Sequence, residues 1–370
     1  TIFNITNSKI YMKTIIVGAG ISGITAGHLL AKHGLEFEIL EASSVYGGRI
    51  RKIDDFVDFP IDLGAEWIHK WIRAKPEIFK PLLSGVDVSL ETFVDKPKTW
   101  ASWNNGKFRE HNWFRYFPKP TDLKFKNATW FDALNKMVTP EVHEKIKFNT
   151  PVSIIEYKSE IVKITSSTGQ VFTADKVLIT VPISILQRNL IDFQPPLPSD
   201  KINEINKEIM PGGLKIFIEF KERFYPDVLV IGSLFSSIGI DACAYYNAAL
   251  GKESERHVLG LFTQGKPAER YTNHSSKEKL IKFVIEELDE IFDGKATKYY
   301  QKHIIQDWTK EPFILGSYSQ RKASAKKLAK PISNRIYFAG EAMNPRGKTI
   351  AVHGACESAY LAIDTILNTQ

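Results

Sequence analysis

A glycine-rich turn between an apolar strand and a helix is the strongest constraint on how this sequence can fold. Gly18, Gly20 and Gly23 directly follow the apolar run 14–17, and a second strand-like run covers residues 36–40. In a strand–helix–strand unit, glycines at this spacing allow a tight turn, close approach of a pyrophosphate and close packing of helix against strand. The helix N-terminus adds free N–H groups. The sequence therefore predicts an α/β fold with a dinucleotide site.

An acidic residue and a second glycine pair narrow the choice of dinucleotide cofactor. Glu41 ends the second predicted strand, where a carboxylate can accept hydrogen bonds from ribose hydroxyls. Gly47, Gly48 and Arg49 follow shortly after. The full pattern resembles the flavoprotein oxidase and desaturase superfamily. That resemblance implies FAD, with the arginine beside the pyrophosphate.

Two further segments resemble flavin-containing amine oxidases of the monoamine and polyamine oxidase type. Residues 62–69, DLGAEWIH, are similar to the segment that passes the flavin ring in polyamine oxidases. Residues 335–341 and 347–355 are similar to the terminal FAD-binding strand, loop and helix, and the sequence TPVSI at 150–154 to the strand beside the adenine. The cofactor-binding residues that this resemblance implies are Gly18, Gly20, Gly23, Glu41, Gly48, Arg49, Gly64, Ala65, Glu66, Trp67, Val152, Gly340, Glu341, Ile350 and Ala351.

The same resemblance implies four catalytic residues. Lys215 lies in an alternating, strand-like run and matches the lysine that holds a water on the reactive flavin nitrogen. Trp308 and Tyr318 match a segment that supplies an aromatic substrate cage, and His69 matches a histidine beside the flavin. Ser317 occupies the place of the cysteine that carries covalent flavin in monoamine oxidases. FAD is therefore expected to be non-covalent.

These features predict an FAD-dependent oxidase of a primary or secondary amine. The expected reaction moves a hydride from the carbon next to nitrogen onto the flavin, and water then hydrolyses the imine to an aldehyde. Dioxygen is the expected acceptor and hydrogen peroxide the expected second product. The protein would align the neutral amine and stabilise charge.

Three other functions stay open from the sequence. An L-amino-acid oxidase would need an arginine for the substrate carboxylate, and Arg109 or Arg115 could supply it. An FAD-dependent desaturase or isomerase would act on an apolar substrate. Ala351 stands where monoamine oxidases place an aromatic cage residue, which leaves room for a non-catalytic flavin scaffold. The aromatic residues between Trp100 and Phe131 predict a wall or lid over the substrate entrance.

Composition and length set the domain organisation. With 370 residues, of which 43% are hydrophobic, the chain can bury a large core and suggests about two domains. We expect a GxGxxG-type Rossmann-like FAD-binding domain interleaved with an α+β substrate-binding domain. The predicted boundaries are 12–85, 146–198 and 311–370 for the FAD-binding domain, 86–145 and 199–310 for the substrate-binding domain, and 1–11 for an N-terminal extension.

Charge, cysteines and hydropathy limit the partners. The net charge of +7 comes from scattered lysines, so a nucleic-acid partner is not expected. Cys243 and Cys356 are too few for a disulfide framework or a metal site, which favours the cytoplasm. No apolar run is long enough for a membrane anchor. The expected partners are a small-molecule amine and dioxygen, and the sequence is compatible with a homodimer.

Overall fold

Short strands and helices alternate along much of the chain. The computed structural model describes residues 12–68, 91–111, 122–232, 241–346 and 351–369. The strands are β1 (Lys13–Val17), β2 (Glu36–Leu40), β3 (Lys52–Ile53), β4 (Ile61–Asp62), β5 (Thr92–Val94), β6 (Trp100–Asn104), β7 (Lys107–His111), β8 (Leu123–Phe125), β9 (Ile146–Lys147), β10 (Val152–Glu156), β11 (Val162–Ser166), β12 (Val171–Ala174), β13 (Lys176–Ile179), β14 (Asp192–Gln194), β15 (Gly213–Phe220), β16 (Val228–Ile231), β17 (Cys243–Asn247), β18 (His257–Gln264), β19 (Tyr300–Asp307) and β20 (Ile336–Phe338). The α-helices are α1 (Ile21–Lys32), α2 (Trp130–Asn135), α3 (Pro140–Glu144), α4 (Ile183–Gln187), α5 (Ser199–Lys207), α6 (Glu269–Thr272), α7 (Lys277–Phe292), α8 (Lys295–Tyr299), α9 (Ala325–Ala329) and α10 (Val352–Asn368).

A five-stranded parallel sheet contains the predicted strand–helix–strand unit. Its strand order is β20-β13-β1-β2-β9, with β1 in the middle. Ile16 packs on one face with residues of α1 and α10, whereas its neighbour Ile15 packs on the other face. Since both faces are covered, the strands are apolar at successive positions. The strands predicted for 14–17 and 36–40 are confirmed.

A seven-stranded, largely antiparallel sheet forms the second main layer. Its strand order is β19-β15-β18-β17-β16-β6-β7. The amphipathic helix α7 covers one face through Leu280, Val284 and Leu288. On the other face, Phe217 and Tyr246 pack against the segment that contains Phe59 and Leu63. This second contact joins the sheet to the chain on both sides of β4.

The strands of the two sheets come from separated parts of the sequence. The five-stranded sheet takes its strands from 13–40, 146–179 and 336–338, and the seven-stranded sheet from 100–111 and 213–307. A smaller sheet has the strand order β12-β11-β10-β14; β10, β11 and β12 lie between β9 and β13 in sequence, and β14 follows β13. The fold is therefore the expected α/β architecture with a discontinuous dinucleotide-binding part. None of the described helices is long and apolar enough to cross a membrane.

Candidate active site

One large cavity collects most of the residues that the sequence singled out. Its volume is about 820 Å³, and residues of both main sheets line it. Gly23 is not among the lining residues, because it packs inside the glycine turn. His69 and Ile350 lie outside the described residues. The predicted residues that line the cavity are Gly18, Gly20, Glu41, Gly48, Arg49, Gly64, Ala65, Glu66, Trp67, Val152, Lys215, Trp308, Tyr318, Gly340, Glu341 and Ala351.

The glycine turn brings backbone N–H groups to the cavity. Gly18 has a φ of +105°, a conformation that residues with a side chain rarely adopt. An added Cβ at Gly23 would lie 1.9 Å from the Gly18 carbonyl oxygen, whereas one at Gly20 would have no protein atom within 4 Å. Gly20 precedes α1, which has no side-chain N-cap. The turn therefore leaves a cradle that fits a pyrophosphate.

Glu41 lies buried at the end of β2, on the cavity wall. Its Oε2 accepts a hydrogen bond from the Ala19 N–H at 2.6 Å, and its Oε1 accepts one from the Ser43 N–H at 2.8 Å. Burial raises the pKa of this carboxyl, although these two hydrogen bonds act in the opposite direction. Each carboxylate oxygen can accept a further bond. The two ribose hydroxyls of a dinucleotide fit this acceptor pair.

Arg49 connects motifs that are far apart in the chain. Its Nη1 donates to the Ser317 carbonyl oxygen at 2.7 Å and to Glu341 Oε1 at 3.1 Å. Ser319 Oγ donates to the other oxygen of Glu341 at 2.7 Å. The Arg49 carbonyl oxygen accepts the Ala65 N–H at 3.3 Å. The cavity wall is thus a continuous network from the glycine pair to the terminal strand.

Lys215 reaches the cavity from β15, which lies next to the edge strand β19 of the seven-stranded sheet. Its Nζ donates to Glu66 Oε2 at 2.6 Å and to the Asp62 carbonyl oxygen at 3.2 Å. The residue is 2% exposed, so it is not a surface lysine at a strand end. An ammonium has three N–H donors. Two are used by the protein, and the side chain lines the cavity.

Tyr318 and Trp308 lie on the cavity wall at the segment predicted to form an aromatic cage. Burial raises the pKa of Tyr318 to about 12. Trp308 is buried, and its Nε1 donates to the Leu63 carbonyl oxygen at 3.0 Å. Phe262 and Trp67 add two more aromatic rings to the lining. These rings give the cavity apolar surface beside Lys215.

The terminal helix α10 begins at the cavity. Ala351 precedes its first residue, has an extended backbone and provides no side-chain cap. Ala351 and Val352 both line the cavity, so the N-terminal N–H groups of a long helix lie at its wall. Such a helix end favours an anionic group. The cradle at Gly20, the acceptors of Glu41 and this helix end together fit FAD.

The predicted aromatic wall between Trp100 and Phe131 is wrong for several of the members that the structure describes, and its members at 113–117 lie outside the described residues. Trp100 and Trp103 belong to β6 in the seven-stranded sheet, and neither lines the cavity. Phe131 stacks on Tyr46 with ring centroids 5.2 Å apart. Trp130 does line the cavity but is 2% exposed. The residues were grouped by closeness in sequence, whereas strand and helix formation separates them in space.

Arg109 is in edge strand β7 and is absent from the cavity lining. Arg115 lies outside the described residues. Sequence reasoning missed Lys124 and Tyr246, which both contact Glu66. Neither lies in a recognisable motif, and each is far from Glu66 in sequence.

Comparison with known proteins identifies the family. The model described as "Flavin containing amine oxidoreductase" matches residues 131–367, and an NAD(P)-binding Rossmann-like domain model matches residues 16–82. The chain belongs to the flavin containing amine oxidoreductase family. It is therefore a flavin-dependent amine oxidoreductase with FAD as its cofactor.

Individual relatives agree with this family. Polyamine oxidase 5 of Oryza sativa subsp. japonica is 23% identical over 439 residues, which cover 95% of this chain and 86% of that protein. Lysine-specific histone demethylase 1B of Mus musculus is 28% identical over 415 residues, covering 89% of this chain and 50% of that protein.

Solved structures show the same fold. Cyclohexylamine oxidase from Brevibacterium oxydans IH-35A has a TM-score of 0.78 at 15% identity, covering 97% of this chain and 99% of that one. Wild-type putrescine oxidase bound to putrescine has a TM-score of 0.76 at 15% identity, covering 96% and 99%.

Two glycine substitutions should separate folding from cofactor binding. Gly23→Ala should destabilise the protein without FAD by about 1–3 kcal/mol or more, because its Cβ would overlap the Gly18 carbonyl oxygen. Gly20→Ala should leave that stability nearly unchanged and weaken FAD binding about 10- to 100-fold, because its Cβ would enter the cradle. Thermal denaturation of apoprotein and FAD titration measure the two effects. Equal loss of stability in both variants would contradict this assignment.

FAD should leave the protein on denaturation. The Ser317 hydroxyl lies within hydrogen-bond distance of the Pro211 carbonyl oxygen and of Gln264 Oε1, and a side chain without sulfur cannot form a thioether to the flavin. Acid precipitation should therefore leave the flavin absorbance in the supernatant. Flavin that stays with the precipitated chain would show that a covalent bond exists elsewhere.

Proposed function

We propose that this protein is an FAD-dependent oxidase of a primary or secondary amine, with dioxygen as acceptor and hydrogen peroxide as product. The observation that carries this proposal is the position of Lys215 and Tyr318 on the same cavity as the glycine turn. FAD supplies the two-electron acceptor for the reaction. A homodimer remains a prediction.

The FAD-binding roles that we propose follow the cavity wall. Gly18, Gly20 and the start of α1 bind the pyrophosphate, and Glu41 binds ribose hydroxyls. Gly23 acts by letting helix and strand pack closely. Gly48, Arg49, Gly340 and Glu341 would hold the pyrophosphate and ribityl side, Gly64, Ala65, Glu66 and Trp67 the flavin ring, Val152 the adenine, and Ile350 and Ala351 the pyrimidine edge.

The substrate side of the cavity is lined by aromatic rings. We propose that Tyr318 forms one wall for the amine and that Trp308 supports this wall from its buried position. Apolar surroundings disfavour a charged amine and so favour the neutral, reactive form. Lys215 would hold a water and place a positive charge where dioxygen is reduced. His69 remains a predicted polar contact outside the described residues.

The domain division remains part of the proposal. The FAD-binding domain would comprise 12–85, 146–198 and 311–370, and the substrate-binding domain 86–145 and 199–310. Trp130 and Val142 pack in the same core cluster as α1. This contact suggests that the end of the first insertion supports the FAD-binding domain.

A peroxide-coupled screen would test the proposed activity. Polyamines, diamines, cyclic monoamines and L-amino acids are the four substrate groups to compare, since the named relatives include polyamine, putrescine and cyclohexylamine oxidases. Peroxide formation with any amine group supports the proposal. Activity with L-amino acids alone would favour the amino-acid oxidase function, for which Arg109 is poorly placed.

Lys215→Met should slow reoxidation of the flavin by dioxygen about 10- to 1000-fold. Anaerobic reduction by substrate should change much less, because Lys215 would act on dioxygen rather than on the amine. Stopped-flow absorbance follows both half-reactions. Normal reoxidation in the variant would remove Lys215 from the proposed role.

Tyr318 should act through its ring and not through its ionisation. Because burial raises its pKa to about 12, its hydroxyl stays protonated at lower pH values. Tyr318→Phe should therefore keep the pH profile of kcat/KM, which rises as the amine loses its proton. Tyr318→Ala should lower kcat/KM about 10-fold or more without releasing FAD. Unchanged turnover of every accepted amine in Tyr318→Ala would contradict the proposed wall.

A further inference from the structure

A cluster of buried charges surrounds Lys215 at the cavity wall. At its centre is the Glu66 carboxylate, which binds a different lysine with each oxygen. Oε2 accepts from Lys215 Nζ at 2.6 Å, and Oε1 pairs with Lys124 Nζ at 2.9 Å. Both lysine side chains are less than 5% exposed. Lys124 is not among the residues lining the large cavity.

Lys124 is itself shared between two carboxylates. Its Nζ lies 3.5 Å from Asp95 Oδ2, which also accepts a hydrogen bond from Trp67 Nε1 at 2.9 Å. The ammonium also lies over the rings of Trp67 and Tyr246, at 4.8 and 4.7 Å from their centroids. These contacts hold the Lys124 charge in one place.

The protonation states within the cluster follow from these contacts. Burial alone would raise the pKa of Glu66, but Lys124 and Lys215 hold it well below its ordinary value. Burial lowers and Asp95 and Glu66 raise the pKa of Lys124, with a net increase. Glu66 is therefore an anion divided between two cations.

Other ionisable groups surround this trio. Tyr246 donates its hydroxyl to Glu66 Oε2 at 2.5 Å. Burial raises the pKa of Asp62 well above its ordinary value, and burial lowers that of Lys252. Among the described residues, Lys252 Nζ donates its hydrogen bond to the Phe125 carbonyl oxygen.

We propose that Lys124 is a positioning residue: by competing with Lys215 for the Glu66 carboxylate, it sets how much positive charge Lys215 presents to the flavin. While Lys124 pairs with Glu66, the Glu66 carboxylate neutralises less of the positive charge on the Lys215 ammonium. When Lys124 is absent, Glu66 pairs with Lys215 alone. Asp95 acts in the opposite direction, because it draws Lys124 away from Glu66.

The inference rests on the proposed function only in placing Lys215 beside bound FAD. Its main readout is the midpoint potential of the bound flavin, measured with a chemical reductant at one fixed pH and without any amine. A positive charge near the flavin favours the reduced, more negative form and so raises this potential. Failure to find an amine substrate would therefore not affect the result.

Lys124→Met should shift the potential to a more negative value and slow reoxidation by dioxygen roughly 10-fold. Lys124→Arg should keep both close to wild type, because it retains the charge. The matched control is Lys252→Met, which removes a half-buried lysine of the same region without removing a bond to Glu66. FAD affinity should stay within a few-fold in all three variants. A wild-type potential in Lys124→Met, or the same shift in Lys252→Met, would overturn the proposal.

Asp95→Asn supplies a test with the opposite sign. Asparagine keeps an acceptor for Trp67 Nε1 but removes the charge that competes for Lys124. The potential should therefore become more positive. Asp95→Asn therefore tests the proposed role of Lys124 even if Lys124→Met does not fold. An unchanged or more negative potential in folded Asp95→Asn would contradict the proposal, since a structural role alone predicts no such pair of opposite shifts.

Discussion

The cofactor site depends on contacts that the backbone and side chain of Arg49 make with three other segments of the chain. Its guanidinium binds Ser317 and Glu341, and its carbonyl oxygen accepts the Ala65 N–H. An added Cβ at Gly64 would lie only 1.8 Å from that carbonyl oxygen. The segment after β4 can therefore pass this close only with glycine at that position. One residue thus fixes the relative places of four segments that are distant in sequence.

The largely buried carboxylates Glu341 and Glu66 at the cavity each have charged and hydrogen-bonding partners. A buried charge without a partner costs several kcal/mol, and a hydrogen-bonded partner offsets much of that cost. Glu341 has Arg49 and Ser319, while Glu66 has two lysines and the Tyr246 hydroxyl. Electrostatic interactions inside such a site are stronger than in water, so small changes in the sharing of a charge have large effects.

Local signals in the sequence were sufficient for much of the dinucleotide site. The turn at Gly18, the strand ending at Glu41 and the run before Lys215 each depend on neighbouring residues, so their patterns could be recognised directly. Lys124 could not be found in this way, because its contact with Glu66 depends on how β8 packs beside the segment after β4. The prediction for Trp100 was wrong for the opposite reason. This residue is close to other aromatic residues in sequence, but it belongs to β6 of the seven-stranded sheet and not to the cavity wall.

The lysine at the cavity also helps to specify the sheet that carries it. Lys215 pairs with Phe262 on one side and with Gln306 on the other, and all residues of β15 are buried. Its neighbours Leu214 and Ile216 point into the apolar cluster covered by α7. A slip of β15 by one residue would exchange the two faces. It would place the Lys215 ammonium in that apolar cluster without Glu66, at a cost of several kcal/mol. The charge needed at the cavity therefore disfavours the wrong register of the strand.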